Sequence, residues 1–280
     1  SPDSRKVVTV SNNESGGNDS TAFIWNILTG QLLHNLSHTW HVTALAFSPD
    51  SSRILTGSID GIARIWDAST GHLLCNLSHQ ASGKTYSPDD FKSLQLNSVI
   101  FSPDSSKILT GSFDGTARIW DASSSKELHR LHQGGMIFYA TFSPDGSKVL
   151  TEADGDIRIW DALTGEEIHR LPKPLNRRIV AVRFSPDGSK VFIGDSTGTA
   201  WIWPVFYEDL IKQACACKWI TENLTAEEWK RYKVHSPKTC PKEGGLNQSI
   251  LTRLWNDPLG FLTGSPECQP CIAEEFVNKG

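Results

Sequence analysis

Short apolar segments alternate with polar, turn-forming segments through the first 205 residues, and residues 101–131 show the pattern most clearly. Pro103-Asp104 separates two runs rich in β-branched and aromatic side chains, which predicts a tight turn between two strands. Asp114-Gly115 predicts a second hairpin turn, because glycine adopts positive φ without steric cost. A third and a fourth strand follow. Four short antiparallel strands cannot bury a core alone, so similar units must pack on both sides.

Copies of this unit recur along the chain. An Ile-Trp pair ends the third predicted strand of each copy, at Ile24-Trp25, Ile65-Trp66, Ile119-Trp120, Ile159-Trp160 and Ile202-Trp203. A Phe-Ser-Pro-Asp turn recurs at residues 47–50, 101–104, 142–145 and 184–187, and Ser1-Pro2-Asp3 is a partial first copy. A period of about 40 residues with four strands per copy is typical of a β-propeller blade.

The repeats resemble those of the WD-repeat family over about three quarters of the chain. Trp66-Asp67, Trp120-Asp121 and Trp160-Asp161 are the Trp-Asp pair that gives the family its name, whereas Trp25-Asn26 and Trp203-Pro204 depart from it. The resemblance implies an all-β fold, a WD-repeat β-propeller with five visible blades. We expect these blades to form part of a seven-bladed or larger propeller, which this chain would leave open. The predicted blades span about residues 1–37, 38–78, 79–131, 132–171 and 172–205.

The resemblance also implies a buried hydrogen-bonded network in each blade, made of a His, a Ser or Thr, an Asp and the Trp. In the second copy these residues are His38, Thr56, Asp60 and Trp66, with the imidazole expected to bridge the carboxylate and the hydroxyl. The third copy offers Thr110, Asp114 and Trp120, with His79 displaced by an insertion. The fourth offers Thr151, Asp154 and Trp160, with His132 one residue out of step, and the fifth has Leu175 in place of the His. Because this set recurs blade by blade, a structural role is favoured over a catalytic triad.

Partner recognition in this family uses the face formed by the loops before the first strand and after the second strand of each blade. By register, the partner-binding candidates are Trp40, His41, Thr43, Ile59, Gln95, Asn97, Phe113, Met136, Phe138 and Arg178, with Val180 and Ala153 at equivalent positions. Trp40, Phe113 and Phe138 are expected near solvent, where an exposed apolar cluster marks an interface. The alternative is that these rings are buried between blades.

Two segments depart from the repeat. Residues 11–18 form an enlarged, polar and glycine-rich turn in the first copy, which predicts a surface loop. About 13 extra residues lie around residues 81–94, where Tyr86-Ser87-Pro88-Asp89 imitates the repeat turn without strands around it. The insertion is either a recognition loop or a tolerated extension.

Both ends of the chain predict a fragment of a longer protein. Ser1-Pro2-Asp3 is the turn after a missing first strand, and the last blade passes from Trp203-Pro204 into a segment with helical spacing. We expect residues 206–243 to be a helical extension, with a capping box at Thr225-Ala226-Glu227-Glu228, and residues 244–280 to be poorly ordered. This tail resembles that of bacterial, often cyanobacterial, multidomain signalling proteins, which implies an upstream ATPase or effector domain and places Cys217 close to Cys240.

Composition and net charge argue against several classes of function. The net charge of -4 argues against nucleic acid or an anionic membrane as a partner, and no apolar run approaches the roughly 20 residues of a membrane span. Six cysteines are too few for a disulfide scaffold, which favours the cytoplasm. Cys268 and Cys271 form a lone Cys-x-x-Cys pair. A zinc site would need two more ligands, such as Cys217 and Cys240, which lack metal-knuckle spacing, and a redox motif would need a βαβ context that this tail does not offer. Free thiols are therefore favoured, and neither a metal nor a cofactor is expected.

The sequence therefore favours a protein–protein interaction scaffold, which we expect to be the C-terminal sensor or regulatory propeller of a larger bacterial signalling protein. Its partners would be proteins, including upstream domains of the same polypeptide. The alternative is a catalytic, hydrolase-like propeller that uses the central channel or Ser196. Residues Gly194–Gly198 match the residue pattern of the Gly-x-Ser-x-Gly motif. A third possibility is a gene remnant with no stable fold.

Overall fold

The computed structural model describes residues 1–12, 20–80, 87–171 and 178–205 of the 280-residue chain. The helical extension and tail predicted after residue 205, with Cys217, Cys240, Cys268 and Cys271, lie outside the described residues, as does Leu175. Within the described residues the chain forms eighteen β-strands and one short helix.

The strands form five antiparallel sheets in chain order, each made of consecutive strands. The first sheet has β1 (Lys6–Asn12), β2 (Ser20–Asn26) and β3 (Leu32–His38), and the second has β4 (Val42–Phe47), β5 (Arg53–Ser58), β6 (Ile62–Asp67) and β7 (Leu73–Ser78). The third has β8 (Leu96–Phe101), β9 (Lys107–Ser112), β10 (Thr116–Asp121) and β11 (Glu127–His132), and the fourth has β12 (Ile137–Phe142), β13 (Lys148–Ala153), β14 (Asp156–Asp161) and β15 (Glu167–Leu171). The fifth has β16 (Ile179–Phe184), β17 (Lys190–Asp195) and β18 (Ala200–Pro204), and helix α1 (Pro88–Phe91) precedes β8. This all-β architecture is consistent with the predicted WD-repeat β-propeller.

The first strands of the second to fifth sheets, β4, β8, β12 and β16, contact one another in sequence. Each has a β-bulge near its beginning, where the paired register skips one residue: Thr43, Asn97, Phe138 and Val180. A bulge leaves its extra residue unpaired and bends the strand. The four bulges therefore lie at the same end of the four sheets as the loops that precede these strands.

The core lies between the sheets. Trp66 packs with Ile54 on Ala22, Ile24 and Leu36 of the first sheet. Trp120, Trp160 and Trp203 pack in the same way, each on the sheet that precedes its own in the chain. Alternate residues of a strand point to opposite faces, so each inner sheet contributes one apolar face to the sheet before it and one to the sheet after it.

Close approach of the second sheet to the third, and of the third to the fourth, depends on glycine in the second strand of the earlier sheet. A Cβ on Gly57 would lie 2.7 Å from Cγ1 of Val99 in the third sheet, and a Cβ on Gly111 would lie 2.8 Å from Cγ2 of Ile137 in the fourth. Contacts this short do not occur between real Cβ atoms and their neighbours. Glycine at this position therefore allows adjacent sheets to pack at the observed distance.

The Ser-Pro-Asp turns stabilise the opposite end of the sheets. Ser48 Oγ accepts from the backbone N–H of Arg53 (2.9 Å) and donates to Asp50 (2.5 Å). The serine hydroxyl and backbone N–H donors lower the pKa of Asp50 to about 2, and the same arrangement lowers the pKa of Asp104, Asp145 and Asp187 to about 2.

At the same end, Arg53 joins the second sheet to the third. Its guanidinium donates to the carbonyl oxygens of Ala122 (2.9 Å) and Ser105 (3.0 Å).

Candidate functional site

The third sheet contains the complete hydrogen-bonded network. His79 Nε2 lies 2.7 Å from Thr110 Oγ1, and His79 Nδ1 lies 3.0 Å from the Asp114 carboxylate. The Trp120 indole N–H donates to the same Thr110 oxygen at 2.9 Å. Because a carboxylate only accepts, the imidazole proton is on Nδ1, and the Thr110 hydroxyl donates to Nε2. The insertion predicted to displace His79 begins after it, so the residue keeps its position.

The second sheet contains part of the network. His38 Nε2 lies 2.8 Å from Thr56 Oγ1, and the Trp66 indole donates to Thr56 at 2.9 Å. The predicted imidazole–carboxylate bridge is wrong here, because His38 Nδ1 lies 2.8 Å from the Leu36 carbonyl oxygen. Asp60 instead accepts from the Arg64 guanidinium at 2.8 Å.

The fourth sheet departs further from the prediction. Trp160 donates to Thr151 at 2.8 Å, but Asp154 is exposed with φ of 50°, followed by Gly155 with φ of 82°. Two successive positive φ values are typical of a two-residue type I′ hairpin turn, which is one residue shorter than the turns of the second and third sheets. The shorter turn places Asp154 in solvent, so its predicted network role is wrong. His132 is exposed, and its neighbour Gln133 is buried.

Burial and pairing set the protonation of these groups. Burial lowers the pKa of His38 to about 4, and it also lowers the pKa of His79, so both imidazoles are neutral at pH 7. Burial alone would raise the pKa of Asp114, but the hydrogen bonds from His79 and Thr116 outweigh it and lower this pKa to about 2. The imidazoles and the indole N–H groups both hydrogen-bond to the same strand threonine hydroxyls inside the sheets, which is a stabilising arrangement.

The loop face contains two aromatic pairs. The rings of Phe113 and Phe138 lie 5.3 Å apart, edge to face, and both side chains are half-buried. Trp40 is also half-buried and lies 4.8 Å from Phe91 of helix α1. Trp40, Phe113 and Phe138 are therefore each packed on one side and accessible on the other. The sequence had left open whether these rings lie near solvent or are buried between blades, and the structure shows an intermediate arrangement.

The inserted segment builds part of this face, which sequence reasoning missed. Ser87 caps α1 by accepting from the Asp90 N–H, while Asp90 accepts from the Ser87 N–H at 2.8 Å. Leu94 is buried, and a Cβ on Gly61 would lie 2.8 Å from its Cβ. A short helix thus covers the loop end of the second sheet. The capping-box spacing of Ser87 and Asp90 was the available signal.

The other partner-binding candidates differ in accessibility. Met136 and Val180 are exposed, as is Arg178, whereas Ile59 and His41 are half-buried.

The polar partner-binding candidates at and near the bulges form hydrogen bonds within and between sheets. Thr43 Oγ1 lies 2.5 Å from the Leu96 carbonyl oxygen of the third sheet, and Gln95 donates to Asn97 at 2.6 Å. The loop face therefore combines structural polar contacts with accessible apolar side chains.

Ser196 lies in the turn between β17 and β18. The residue is exposed, its backbone N–H donates to the Arg178 carbonyl oxygen at 2.9 Å, and Gly198 has φ of 85°. A nucleophile elbow requires a strand-to-helix turn, whereas this turn joins two antiparallel strands. Within the described ranges there is no group of three His, Cys, Asp or Glu residues suited to a metal ion, and no helix long and apolar enough to cross a membrane.

Comparison with known proteins agrees with the repeats. The family model of the WD domain, G-beta repeat, matches residues 30–67, 87–121 and 125–161. Small ribosomal subunit protein RACK1y of Oryza sativa subsp. japonica is 28% identical over 117 residues, which cover 39% of this chain and 34% of the relative. Human angio-associated migratory cell protein is 28% identical over 172 residues (49% of this chain, 39% of the relative). Zebrafish dynein assembly factor with WD repeat domains 1 is 41% identical over 58 residues (20% and 14%).

The chain spans between about a seventh and two fifths of the length of these relatives. The matched segments, the relatives and the five consecutive sheets support a WD-repeat fold, and they support a protein-interaction scaffold in general terms.

Proposed function

We propose that the protein is a binding platform whose partner proteins engage the loop face around Phe113, Phe138 and Met136. The observation that carries this proposal is an edge-to-face pair beside the exposed Met136: Phe138 lies at the bulge of strand β12, and Phe113 lies in the turn after β9. Aromatic and Met side chains are enriched at the cores of protein interfaces, and a rigid sheet holds them with little loss of conformational entropy on binding. The two relatives named for a ribosomal subunit and for dynein assembly are also named for multi-protein systems.

Affinity capture with a matched control tests the proposal. The triple variant Phe113→Ala, Met136→Ala, Phe138→Ala should lose its specific partners, because the accessible apolar surface is removed. The control variant Leu28→Ala, Leu163→Ala removes two of the most exposed leucines, which lie in turns at the opposite end of the sheets. Retention of the same partners by the triple variant, at the level of the control, would contradict the loop-face proposal.

Trp40 extends the proposed surface to the second sheet. Because its ring packs on Phe91, replacing either residue should alter partner binding while leaving the sheets intact. Equal partner recovery for Trp40→Ala, Phe91→Ala and the unchanged chain would restrict the surface to the third and fourth sheets.

At a finer level, we propose a C-terminal sensor or regulatory propeller of a larger bacterial signalling protein in the cytoplasm, with upstream domains among its partners. The resemblance of the segment after residue 205 to such proteins supports the signalling role, and the count of only six cysteines supports the cytoplasmic location. The coding sequence upstream of Ser1 tests it, because an ATPase or effector domain in the same reading frame is the expected result. A different domain organisation would contradict the signalling role.

A catalytic propeller is the second candidate, and the exposure of Ser196 is the observation in its favour. Its hydroxyl lies in a hairpin turn, so we expect a fluorophosphonate probe to leave it unlabelled. Labelling that disappears in Ser196→Ala would favour the catalytic alternative.

A further inference from the structure

The aspartate in the turn between the second and third strands is neutralised in the second and third sheets but not in the fourth. Asp60 pairs with Arg64 at 2.8 Å, and Asp114 pairs with Arg118 at 3.3 Å. Asp154 of the fourth sheet is exposed, and its carboxylate has no hydrogen bond or ion pair within the part of the chain that the structure describes. The loop face therefore has an uncompensated negative charge at the fourth sheet.

The arginine that would neutralise this charge is bound elsewhere. Arg158 corresponds to Arg64 and Arg118 in the strand register. Its guanidinium donates to Asp156 at 2.9 Å and to Glu167 at 3.0 Å. The short hairpin turn directs Asp154 to solvent, so Asp156 and Glu167 take the place at Arg158 that the turn aspartate has in the other two sheets.

The contacts of its turn set the position of the Asp154 carboxylate. The Gly155 N–H donates to the buried Glu152 carboxylate at 2.8 Å, which fixes the turn on its strand. A Cβ on Gly135 would lie 2.8 Å from Asp154 Oδ2, so the carboxylate rests against the backbone of the preceding loop.

Gly135 makes room for this carboxylate. The residue two positions before the first strand is Trp40 in the second sheet and Leu94 in the third, whereas the fourth sheet has Gly135. The large side chains cover the loop end of their own part of the face, by Trp40 packing on Phe91 and by Leu94 lying over the turn of the second sheet. At the fourth sheet the corresponding space is open to the Asp154 carboxylate and to solvent.

Apolar side chains border the carboxylate. Met136 follows Gly135 and is 49% exposed, and Phe138 lies two residues later, 5.3 Å from Phe113. We call the surface of Phe113, Met136, Phe138 and Asp154 the mixed patch. It combines one free carboxylate with a thioether and two half-buried rings.

A lysine or arginine side chain matches both parts of the mixed patch. Its methylene groups pack on apolar surface while its charged end stays accessible, and its cation is attracted to aromatic rings. A carboxylate accepts charge-assisted hydrogen bonds from either residue, which are stronger than those between neutral groups. The net charge of -4 also favours the approach of a basic partner over an acidic one.

Arg178 provides the opposite charge at the neighbouring position of the fifth sheet. It directly precedes β16, as Met136 precedes β12, and it is exposed. Within the described ranges its side chain has no hydrogen bond or ion pair, so no such contact fixes the guanidinium. The Asp154 carboxylate is held against Gly135, and we therefore assign the charge preference of the surface to Asp154.

We propose that the mixed patch binds a protein segment through a lysine or arginine side chain, whose methylene groups pack on Met136 and Phe138 and whose charge is bound by Asp154. This inference rests on the loop-face role proposed above and adds the chemistry of the partner. Asp154 determines specificity, and Gly135 is a positioning residue.

Selection from a displayed library of random peptides of about twelve residues tests the proposal on the whole chain. Peptides that also bind the triple variant Phe113→Ala, Met136→Ala, Phe138→Ala are removed. We expect the remaining peptides to contain lysine and arginine about threefold or more above their frequency in the library. With Asp154→Asn this enrichment should disappear while apolar residues remain enriched. The matched control is Glu166→Gln, which removes an exposed carboxylate from the turn at the opposite end of the same sheet and should keep the enrichment.

The outcomes separate this inference from the proposed function. Failure to select any peptide that depends on the three apolar residues would overturn both. Apolar peptides without lysine or arginine enrichment would overturn the inference alone, as would an enrichment that persists in Asp154→Asn or is lost equally in Glu166→Gln. Enrichment of aspartate and glutamate that is lost in Arg178→Gln would assign the preference to Arg178 and overturn the inference.

Met136 gives a direct readout of binding, because it is the only methionine of the chain. In protein labelled with ¹³C at the methionine methyl group, its signal is assigned by its absence in Met136→Leu and followed during titration with one selected peptide. Replacing the basic residue of the peptide by neutral citrulline or norleucine should weaken binding about threefold or more. The same replacement should have no effect on binding to Asp154→Asn, because the paired charge is already absent. Independent, additive losses would overturn the pairing with Asp154, and so would a Met136 signal that does not move at saturation.

Gly135→Ala tests the positioning role in the same titration. The added Cβ displaces the Asp154 carboxylate, so affinity for the basic peptide should fall while affinity for its neutral analogue stays the same. Equal losses for both peptides would show a general structural effect and overturn the positioning role.

Discussion

At the scale of single residues, stability rests on threonine hydroxyls buried between tryptophan and histidine. Sequence reasoning identified Thr110, Asp114 and Trp120 in the third sheet but expected an insertion to displace His79, which completes the set. It did not identify the partner of His38, whose Nδ1 lies beside the Leu36 carbonyl oxygen and not beside the Asp60 carboxylate. Asp60 is bound by Arg64 instead, and a repeat pattern contains no information about that choice.

Thr110→Val should destabilise the protein by about 1–3 kcal/mol, because the buried Trp120 indole and His79 imidazole both lose a hydrogen-bond partner. Thr9→Val is the matched control, since the Trp25 indole donates to Thr9 at 2.8 Å in an exposed position. The control should cost roughly 0.5 kcal/mol or less. Urea denaturation measures the free energy of unfolding of both variants. Equal decreases in this free energy would show that burial of the network contributes nothing to stability.

The buried neutral His38 predicts a pH dependence. Its pKa is lowered from 6.5 to about 4 by burial, so the unfolded chain binds a proton more readily than the folded chain. The stabilising contribution is complete above pH 6.5 and is lost as the pH falls from 6.5 to 4, by an amount on the order of 3 kcal/mol. In His38→Asn this part of the pH dependence should be absent. Identical slopes of stability against pH in both chains would contradict a buried neutral imidazole.

At the scale of elements, the repeat pattern predicts strands and hairpins well because each turn carries its own chemistry. The two runs that Pro103-Asp104 separates are strands β8 and β9, and the Asp-Gly and Ser-Pro-Asp turns occur where the sequence places them. The bulges and helix α1 were not predicted, since a bulge depends on packing between sheets and α1 lies in an insertion that resembles the repeat turn by letter. The all-β fold class is confirmed.

Glycine in the second strand allows a direct test of packing between elements. Gly57→Ala should destabilise by about 1–3 kcal/mol, because its Cβ would overlap Val99 of the next sheet. Gly194→Ala is the control at the equivalent position of the fifth sheet, where the nearest atom would be 4.0 Å away. It should be neutral or slightly stabilising, since alanine restricts the unfolded chain. The melting temperature of Gly57→Ala should be lower than that of Gly194→Ala. Equal melting temperatures for the two variants would contradict the packing explanation.

At the scale of the whole molecule, the sheets form a series in which each tryptophan packs on the preceding sheet and each loop end contributes to one face. The sequence predicted the series from the period of the repeat. It could not predict how accessible each loop-face residue is. The accessibility of Trp40 and Phe138 depends on the rings that pack beside them, Phe91 and Phe113, and not on their register in the repeat. The same order of packing joins the loop ends of neighbouring sheets, as the proposed binding platform requires.

Exchange of the indole N–H protons, followed by NMR on ¹⁵N-tryptophan-labelled protein, tests this order most directly. The indoles of Trp66, Trp120 and Trp160 donate to buried threonines between consecutive sheets, whereas that of Trp25 donates in an exposed position. We predict that the three buried indoles exchange at least about a hundredfold more slowly than that of Trp25, whose side chain is only half-buried. Equal exchange rates for all four indoles would contradict the packing of consecutive sheets.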